Sequence, residues 1–225
     1  SYNSIVGQFN DFTVKYNQVI KKRLWPNKPI YYEIDYFLDY LFAHAERKPA
    51  QKYKFEKGRQ LTPEMQRKEI NKYIRSFKQY VHDNNLTPKN YIKASNLFKN
   101  NLSEKKYNQL VRKDIKKLLW HTNAGSSQPI NIEKATNPHN NSLRDLRIQL
   151  FNLVHGKEQL EWRMYELDKK LFGISNSLMN EILHYTDPKK YPLINLRSCA
   201  GMRFFGYNIN EYRAIRKRNT TLHQN

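Results

Sequence analysis

The residues from Gly173 to Ser177 have the types and order that can hold a phosphate group through the backbone. Gly173 permits a tight turn after an apolar helix, and Ser175 or Asn176 can cap the helix that follows. In such a helix-hairpin-helix, the amides of the hairpin and of the second helix's first turn point outward, and the helix dipole adds positive potential. The pattern therefore predicts a phosphate clamp without base-specific contacts, formed by Gly173, Ile174, Ser175, Asn176 and Ser177.

Further candidate phosphate contacts lie on both sides of this segment. A helix predicted after Ser103 buries its apolar side and leaves an exposed basic side, formed by Arg112, Lys113, Lys116 and Lys117. Such a side either meets phosphates or is an ordinary solvated surface. Beyond the hairpin, the predicted contacts are Lys189, Lys190, Asn195 and Arg197.

The stretch from Leu171 to Gly206 resembles the helix-hairpin-helix DNA glycosylase superfamily. The pattern of that superfamily is Leu-x-Gly-Val-Gly opening a helix, then a Pro-containing loop, then an Asp that starts the next helix. Here Gly173-Ile174-Ser175 occupies the hairpin and Asn195 the Asp position. The likeness covers about a fifth of the chain and agrees in spacing as well as residue type. It implies a scaffold that grips a DNA backbone.

The resemblance departs from the superfamily at both catalytic positions. Ser177 stands where bifunctional members have a lysine nucleophile, and Asn195 replaces the catalytic aspartate. Serine lacks the amine for a Schiff base, and a neutral amide is neither a general base nor a carboxylate that stabilises an oxocarbenium ion. Ser175 also replaces the second hairpin glycine. We therefore expect a DNA-binding chain that is not an enzyme by itself and has no catalytic residues.

A related resemblance is to the helical DNA-binding modules attached to bacterial restriction and anti-phage ATPases. The order of Gly173-Ile174, Leu183-His184, the segment 187–192 (Asp-Pro-Lys-Lys-Tyr-Pro) and Asn195 fits those modules. The likeness implies a target-recognition part of a restriction or antiviral defence protein, with an attached ATPase or nuclease. Ser1, where an initiator Met is usual, is consistent with an excised fragment.

The elements that must position these residues are predicted to be helices throughout. No stretch shows the sustained alternation of a half-buried strand, so the fold is predicted to be all-α, a helical N-terminal region plus a C-terminal helix-hairpin-helix bundle. Thr62 and Pro63 have the residue types of a helix start. Residues 122–140 are polar and rich in Asn and Pro, which predicts a linker or long loop between residues 1–121 and 141–225.

Composition points to a polyanionic partner. A formal charge of +20 would steer nucleic acid toward the chain, and duplex DNA is the partner we predict, although lysine excess can also serve solubility alone. One cysteine and scattered histidines predict no disulfide framework, metal or other cofactor. With no apolar run long enough to span a bilayer, we predict no membrane partner and an intracellular, for instance bacterial cytoplasmic, location.

Two other functions remain open at this point. One is a base-excision glycosylase that uses Asn195, Asp187 or Glu181 in place of the usual aspartate. The other is a helical protein-interaction adaptor with an acidic partner.

Three further predictions concern small groups of residues. The aromatic residues Trp120, Trp162 and Tyr165 are predicted to pack in the core. The acidic residues Glu33, Asp35 and Asp39 are predicted to be surface charges, and a basic tail is predicted to contain Arg213, Arg216, Lys217 and Arg218.

Overall fold

The computed structural model describes residues 2–209, and this part of the chain is helical with no strand. The all-α prediction is therefore confirmed for the described residues. The α-helices are α1 (Tyr2–Ile20), α2 (Ile30–Asp39), α3 (Pro63–Asp83), α4 (Lys89–Asn101), α5 (Arg112–Trp120), α6 (Asn123–Ser127), α7 (Pro129–Thr136), α8 (Leu143–His155), α9 (Leu160–Lys170), α10 (Asn176–Thr186) and α11 (Leu196–Phe204). Within the described residues, no helix is both long and apolar enough to cross a bilayer. The predicted basic tail at Arg213–Arg218 lies outside the described residues.

The described residues form two compact units, of which unit 1 combines residues 2–90 with residues 192–209. Its core is an aromatic cluster: the ring centroid of Phe37 lies 5.2 Å from those of Tyr16 and Phe77 and 5.8 Å from that of Phe205. Phe12 of α1 lies 5.2 Å from Phe205. Helix α11 therefore completes the core built by α1, α2 and α3.

Side chains that accept hydrogen bonds from backbone amides fix the start of α3 and the connection after α1. The Thr62 hydroxyl accepts a hydrogen bond from the Met65 amide at 3.3 Å, so α3 begins at Pro63 as predicted. Glu33 is fully buried, and its carboxylate accepts from Arg23 at 3.1 Å and from the Leu24 amide at 3.2 Å. The surface-charge prediction is therefore wrong for Glu33, and also for Asp35, which is buried as well.

Unit 2 comprises residues 91–191 and contains α4, from Tyr91 onward, to α10. In this unit α5 packs on α7, α8 on α9, and α10 on both α6 and α8. Its buried apolar residues recur at the helical spacing that the sequence shows, among them Leu118, Ile132, Leu150, Leu167 and Ile182. Unit 2 holds the candidate clamp and the candidate basic side of α5.

The segment predicted as a linker, residues 122–140, contains α6 and α7. The Thr122 hydroxyl accepts from the Gly125 amide at 2.9 Å, and Pro129 starts α7. Ile132 is fully buried, so α7 belongs to the core of unit 2. The division of the chain also differs from the predicted one, because residues 192–209 join unit 1 through the aromatic contacts of Phe205.

Candidate nucleic-acid interface

The turn that joins α9 to α10, residues 171–175, has the local conformation that the sequence predicts. Gly173 has a φ of +86°, a left-handed conformation that favours glycine. Ser175 is the N-cap of α10, and its hydroxyl accepts from the Leu178 amide at 3.3 Å. Ser175 therefore begins the second helix, as its residue type indicates.

The side chain of Asn141 fixes this α9–α10 turn from the neighbouring segment. Its amide nitrogen donates to the carbonyls of Phe172 at 2.9 Å and Ala135 at 2.8 Å, while its oxygen accepts from the Phe172 amide at 2.9 Å. Asn141 is buried. Sequence reasoning missed this residue, because no local pattern links it to a turn so far along the chain.

Gly173 also packs its backbone against α7. A Cβ atom added to Gly173 would lie 2.7 Å from both the Ala135 nitrogen and the Asn131 oxygen, which are backbone atoms that cannot rotate away. The glycine is therefore needed for close helix contact as well as for its positive φ. Larger side chains at Gly173 disturb the fold, so a tryptophan there cannot separate phosphate binding from folding.

The α9–α10 turn presents a run of backbone amides. Within residues 2–209, no acceptor takes a hydrogen bond from the amides of Gly173, Ile174, Ser175 or Asn176. The side chain of Ile174 is buried, whereas Ser175 is exposed. These amides lie at the positive end of the α10 dipole, where an anion is stabilised.

The basic residues of α5 border a groove of about 510 Å³ against α7. Its cationic lining residues are Arg112, Lys113, Lys116 and Lys134. Lys116 pairs with Glu133 at 2.6 Å, while Lys113 and Lys134 are exposed. Because Lys134 lies 5.9 Å from the Phe172 ring centroid, the groove borders the α9–α10 turn.

Arg112 has a structural role in this groove. Its guanidinium donates to the carbonyls of Thr136 at 3.2 Å and Asn141 at 2.7 Å, which are acceptors at the end of α7 and just before α8. The bond to Thr136 satisfies a carbonyl that the C-terminal end of a helix leaves without a partner. Arg112 therefore stabilises the segment that carries Asn141.

Lys117 is not among the residues that line the groove. Burial of the imidazole, followed by the charges of Lys93 and Lys117, lowers the pKa of His121. The predicted basic side of α5 is thus divided, with Lys113 and Lys116 at the groove and Lys117 near His121.

The predicted contacts beyond the hairpin fall in both units. Lys189 and Lys190 are exposed in unit 2, where the Asp187 carboxylate accepts from their amides at 3.2 and 3.3 Å. Asn195 and Arg197 belong to unit 1. Asn195 caps α11 by accepting from the Arg197 and Ser198 amides at 3.0 Å, and Arg197 donates to Asp39 at 2.6 Å.

The three residues considered for glycosylase chemistry all accept hydrogen bonds from backbone amides. Besides Asp187 and Asn195, these include Glu181, which is buried and whose carboxylate accepts from the amides of Asn123 at 2.5 Å and Ala124 at 3.2 Å. Glu181 therefore stabilises the start of α6. No group of three or more His, Cys, Asp or Glu among the described residues could hold a metal ion.

Other ring side chains of unit 2 differ in their exposure and partners. The Nδ1 atom of His184 lies 2.9 Å from the Tyr191 carbonyl. Trp120 and Trp162 are 41% and 47% exposed, so the core prediction is wrong for both. The ring centroid of Tyr165, which is half-buried, lies 5.4 Å from that of Trp162.

Comparison with protein-family models, with curated proteins and with solved structures finds no match for this chain.

Proposed function

We propose that this chain binds duplex DNA through its sugar-phosphate backbone, with the α9–α10 turn as the phosphate clamp. The observation that carries the proposal is the run of amides from Gly173 to Asn176, which donate to no acceptor within residues 2–209. Four successive donors at a helix N-terminus suit a phosphate oxygen, which accepts several hydrogen bonds and gains from the helix dipole.

The charge of exposed lysines in unit 2 supports the same proposal. Lys113 and Lys134 are exposed at the groove beside the turn, and Lys189 and Lys190 are exposed beyond α10. With a formal charge of +20, the whole chain attracts a polyanion over a longer range than the clamp does. The net positive charge of the chain brings the DNA near, and the clamp then fixes the orientation of the DNA backbone.

The primary test is fluorescence anisotropy with a labelled duplex over a series of salt concentrations. Binding is expected at low salt and should weaken steeply as salt rises, because each phosphate that the protein neutralises releases counterions. Absence of binding at low salt would overturn the proposal.

A proline substitution at Asn176 tests the clamp itself. Asn176 is the first residue of α10, where proline is favoured, and Ser175 before it has a ψ of 162°, the extended conformation that precedes proline. Asn176→Pro therefore removes one amide donor without adding a clash with the helix. The loss of a hydrogen bond to a charged group is expected to weaken duplex binding by about 1.5–3 kcal/mol, tenfold or more.

The matched control is Asn176→Ala, which removes the same side chain and keeps the amide. It should bind duplex DNA like the parent, and thermal denaturation should show both variants folded. If the proline and alanine variants bind equally well, the amides of the turn do not hold a phosphate.

A further inference from the structure

Phe172 is an exposed aromatic side chain whose backbone is held in place by hydrogen bonds. It is 57% exposed, next in the chain to Gly173. Both polar groups of its backbone are held by buried Asn141, at 2.9 Å from the amide and 2.9 Å from the carbonyl. The ring therefore projects from a turn whose position is fixed, which lowers the entropy that a binding partner would have to remove.

The surroundings of Phe172 combine apolar surface with positive charge. The Nζ atom of Lys134 lies 5.9 Å from the centroid of the Phe172 ring. One turn earlier on α7, Ile130 is 63% exposed at the same groove. A flat apolar ring beside cations complements a nucleotide, which has a flat base and an anionic phosphate.

We propose that Phe172 stacks on an unpaired base of the DNA whose backbone the α9–α10 turn holds. The chain then prefers DNA that contains a single-stranded gap over fully paired duplex. This inference rests on the proposed phosphate clamp, because the clamp brings the nucleic acid to the residue next to the ring. Stacking needs no particular base, since every base has a π-face.

The test compares an intact duplex with a duplex of the same sequence that carries a short gap with 2-aminopurine in the unpaired strand. The parent should bind the gapped duplex more tightly and quench its 2-aminopurine fluorescence. Phe172→Ala should weaken binding to the gapped duplex by about 5- to 150-fold, the range for one base–aromatic stack, and should leave intact-duplex binding nearly unchanged. Phe172→Trp should retain the preference and Phe172→Leu should lose it, because leucine is apolar but has no ring.

Phe55→Ala provides a matched control in the other unit. Phe55 is 84% exposed and lies under Lys54, whose Nζ atom is 5.2 Å from the ring centroid, but it is not on the α9–α10 turn. This variant should keep the gap preference, and both Phe→Ala variants should keep the thermal midpoint of the parent.

The outcomes separate the stacking proposal from the clamp proposal. Stacking is overturned if Phe172→Ala weakens both duplexes equally or neither of them. If the parent binds intact duplex in a manner sensitive to Asn176→Pro yet shows no gap preference, the clamp stands and the stacking fails. If the parent binds neither duplex at low salt, both proposals fail.

Discussion

At the scale of single residues, Asn141 connects three parts of unit 2 through one amide side chain. It bonds to both the amide and the carbonyl of Phe172 and to the carbonyl of Ala135 on α7. The α9–α10 turn thus keeps its conformation because a buried amide from outside the turn replaces the hydrogen bonds that water would make.

We predict that Asn141→Ala destabilises the fold. Three hydrogen bonds at about 0.5–1.5 kcal/mol each give an expected loss of about 1.5–4.5 kcal/mol in the free energy of unfolding, measured by urea denaturation. Asn140→Ala is the control, because the Asn140 side chain is exposed and donates one bond, to the Lys134 carbonyl at 2.9 Å. Equal midpoints for the two variants would contradict this role of Asn141.

The residues of the α9–α10 turn show which structural features can be predicted from local sequence. Ser175 and Gly173 were predictable because capping and positive φ are local preferences. The packing of Gly173 on α7 and the bonds of Asn141 were not, since they depend on which helices meet. The burial of Glu33 was not predictable either. Its carboxylate is stabilised by backbone amides of the connection after α1, and these amides come close to it only in the folded chain.

At the scale of elements, α5 shows that neighbouring cations on one helix have different surroundings. Arg112 is bonded to carbonyls and Lys116 to Glu133, so replacing them would change stability as well as charge. Lys113 and Lys134 are exposed at the groove, so replacing them tests the effect of charge on DNA binding with less change in stability.

We predict that Lys113→Gln combined with Lys134→Gln flattens the salt dependence of duplex binding. The slope of log affinity against log salt should fall by about one unit for each phosphate that the variant no longer neutralises. The same substitutions at Lys21 and Lys22, exposed in unit 1, remove equal charge and should change the slope less. An equal change for both pairs would show that the groove has no special part in binding.

The environment of His121 at the end of α5 predicts a pH dependence. Burial, Lys93 and Lys117 lower its pKa below the ordinary 6.5, so the folded chain binds this proton less readily than the unfolded chain. The neutral imidazole therefore contributes stability above pH 6.5, and the contribution is lost as the pH falls through the folded pKa. The thermal midpoint of His121→Gln should drop less between pH 7 and pH 5 than that of the parent. Equal drops would exclude His121 as a cause.

At the scale of the whole molecule, the helical class was predictable and the division into units was not. Apolar spacing marks helices along the chain but does not say that α11 packs on α2. The polar composition of residues 122–140 resembles a linker, whereas Thr122 and Pro129 provide the start signals of α6 and α7. Long-range packing therefore decided where the units divide.

We predict that Phe205→Ala weakens both chain segments of unit 1. The side chain is fully buried and its ring lies 5.2 Å from Phe12, so the expected loss is about 3–5 kcal/mol. Amide hydrogen exchange should rise in residues 2–90 and 192–209 more than in residues 91–191. Phe98→Ala, at a buried phenylalanine of unit 2, should give the opposite distribution. Uniform increases in both variants would show that the units open together.

The split composition of unit 1 has a consequence for synthesis on the ribosome. The aromatic side chains of Phe12, Phe37 and Phe77 emerge early, but Phe205 of their cluster follows only after residues 91–191 have been translated. At about 5–20 residues per second, that interval lasts about 5–20 s. The described part of unit 2, residues 91–191, is a continuous stretch, so it can fold before unit 1 is complete although it comes second along the chain. The nascent aromatic cluster meanwhile stays open to chaperones, and to wrong partners, until α11 arrives.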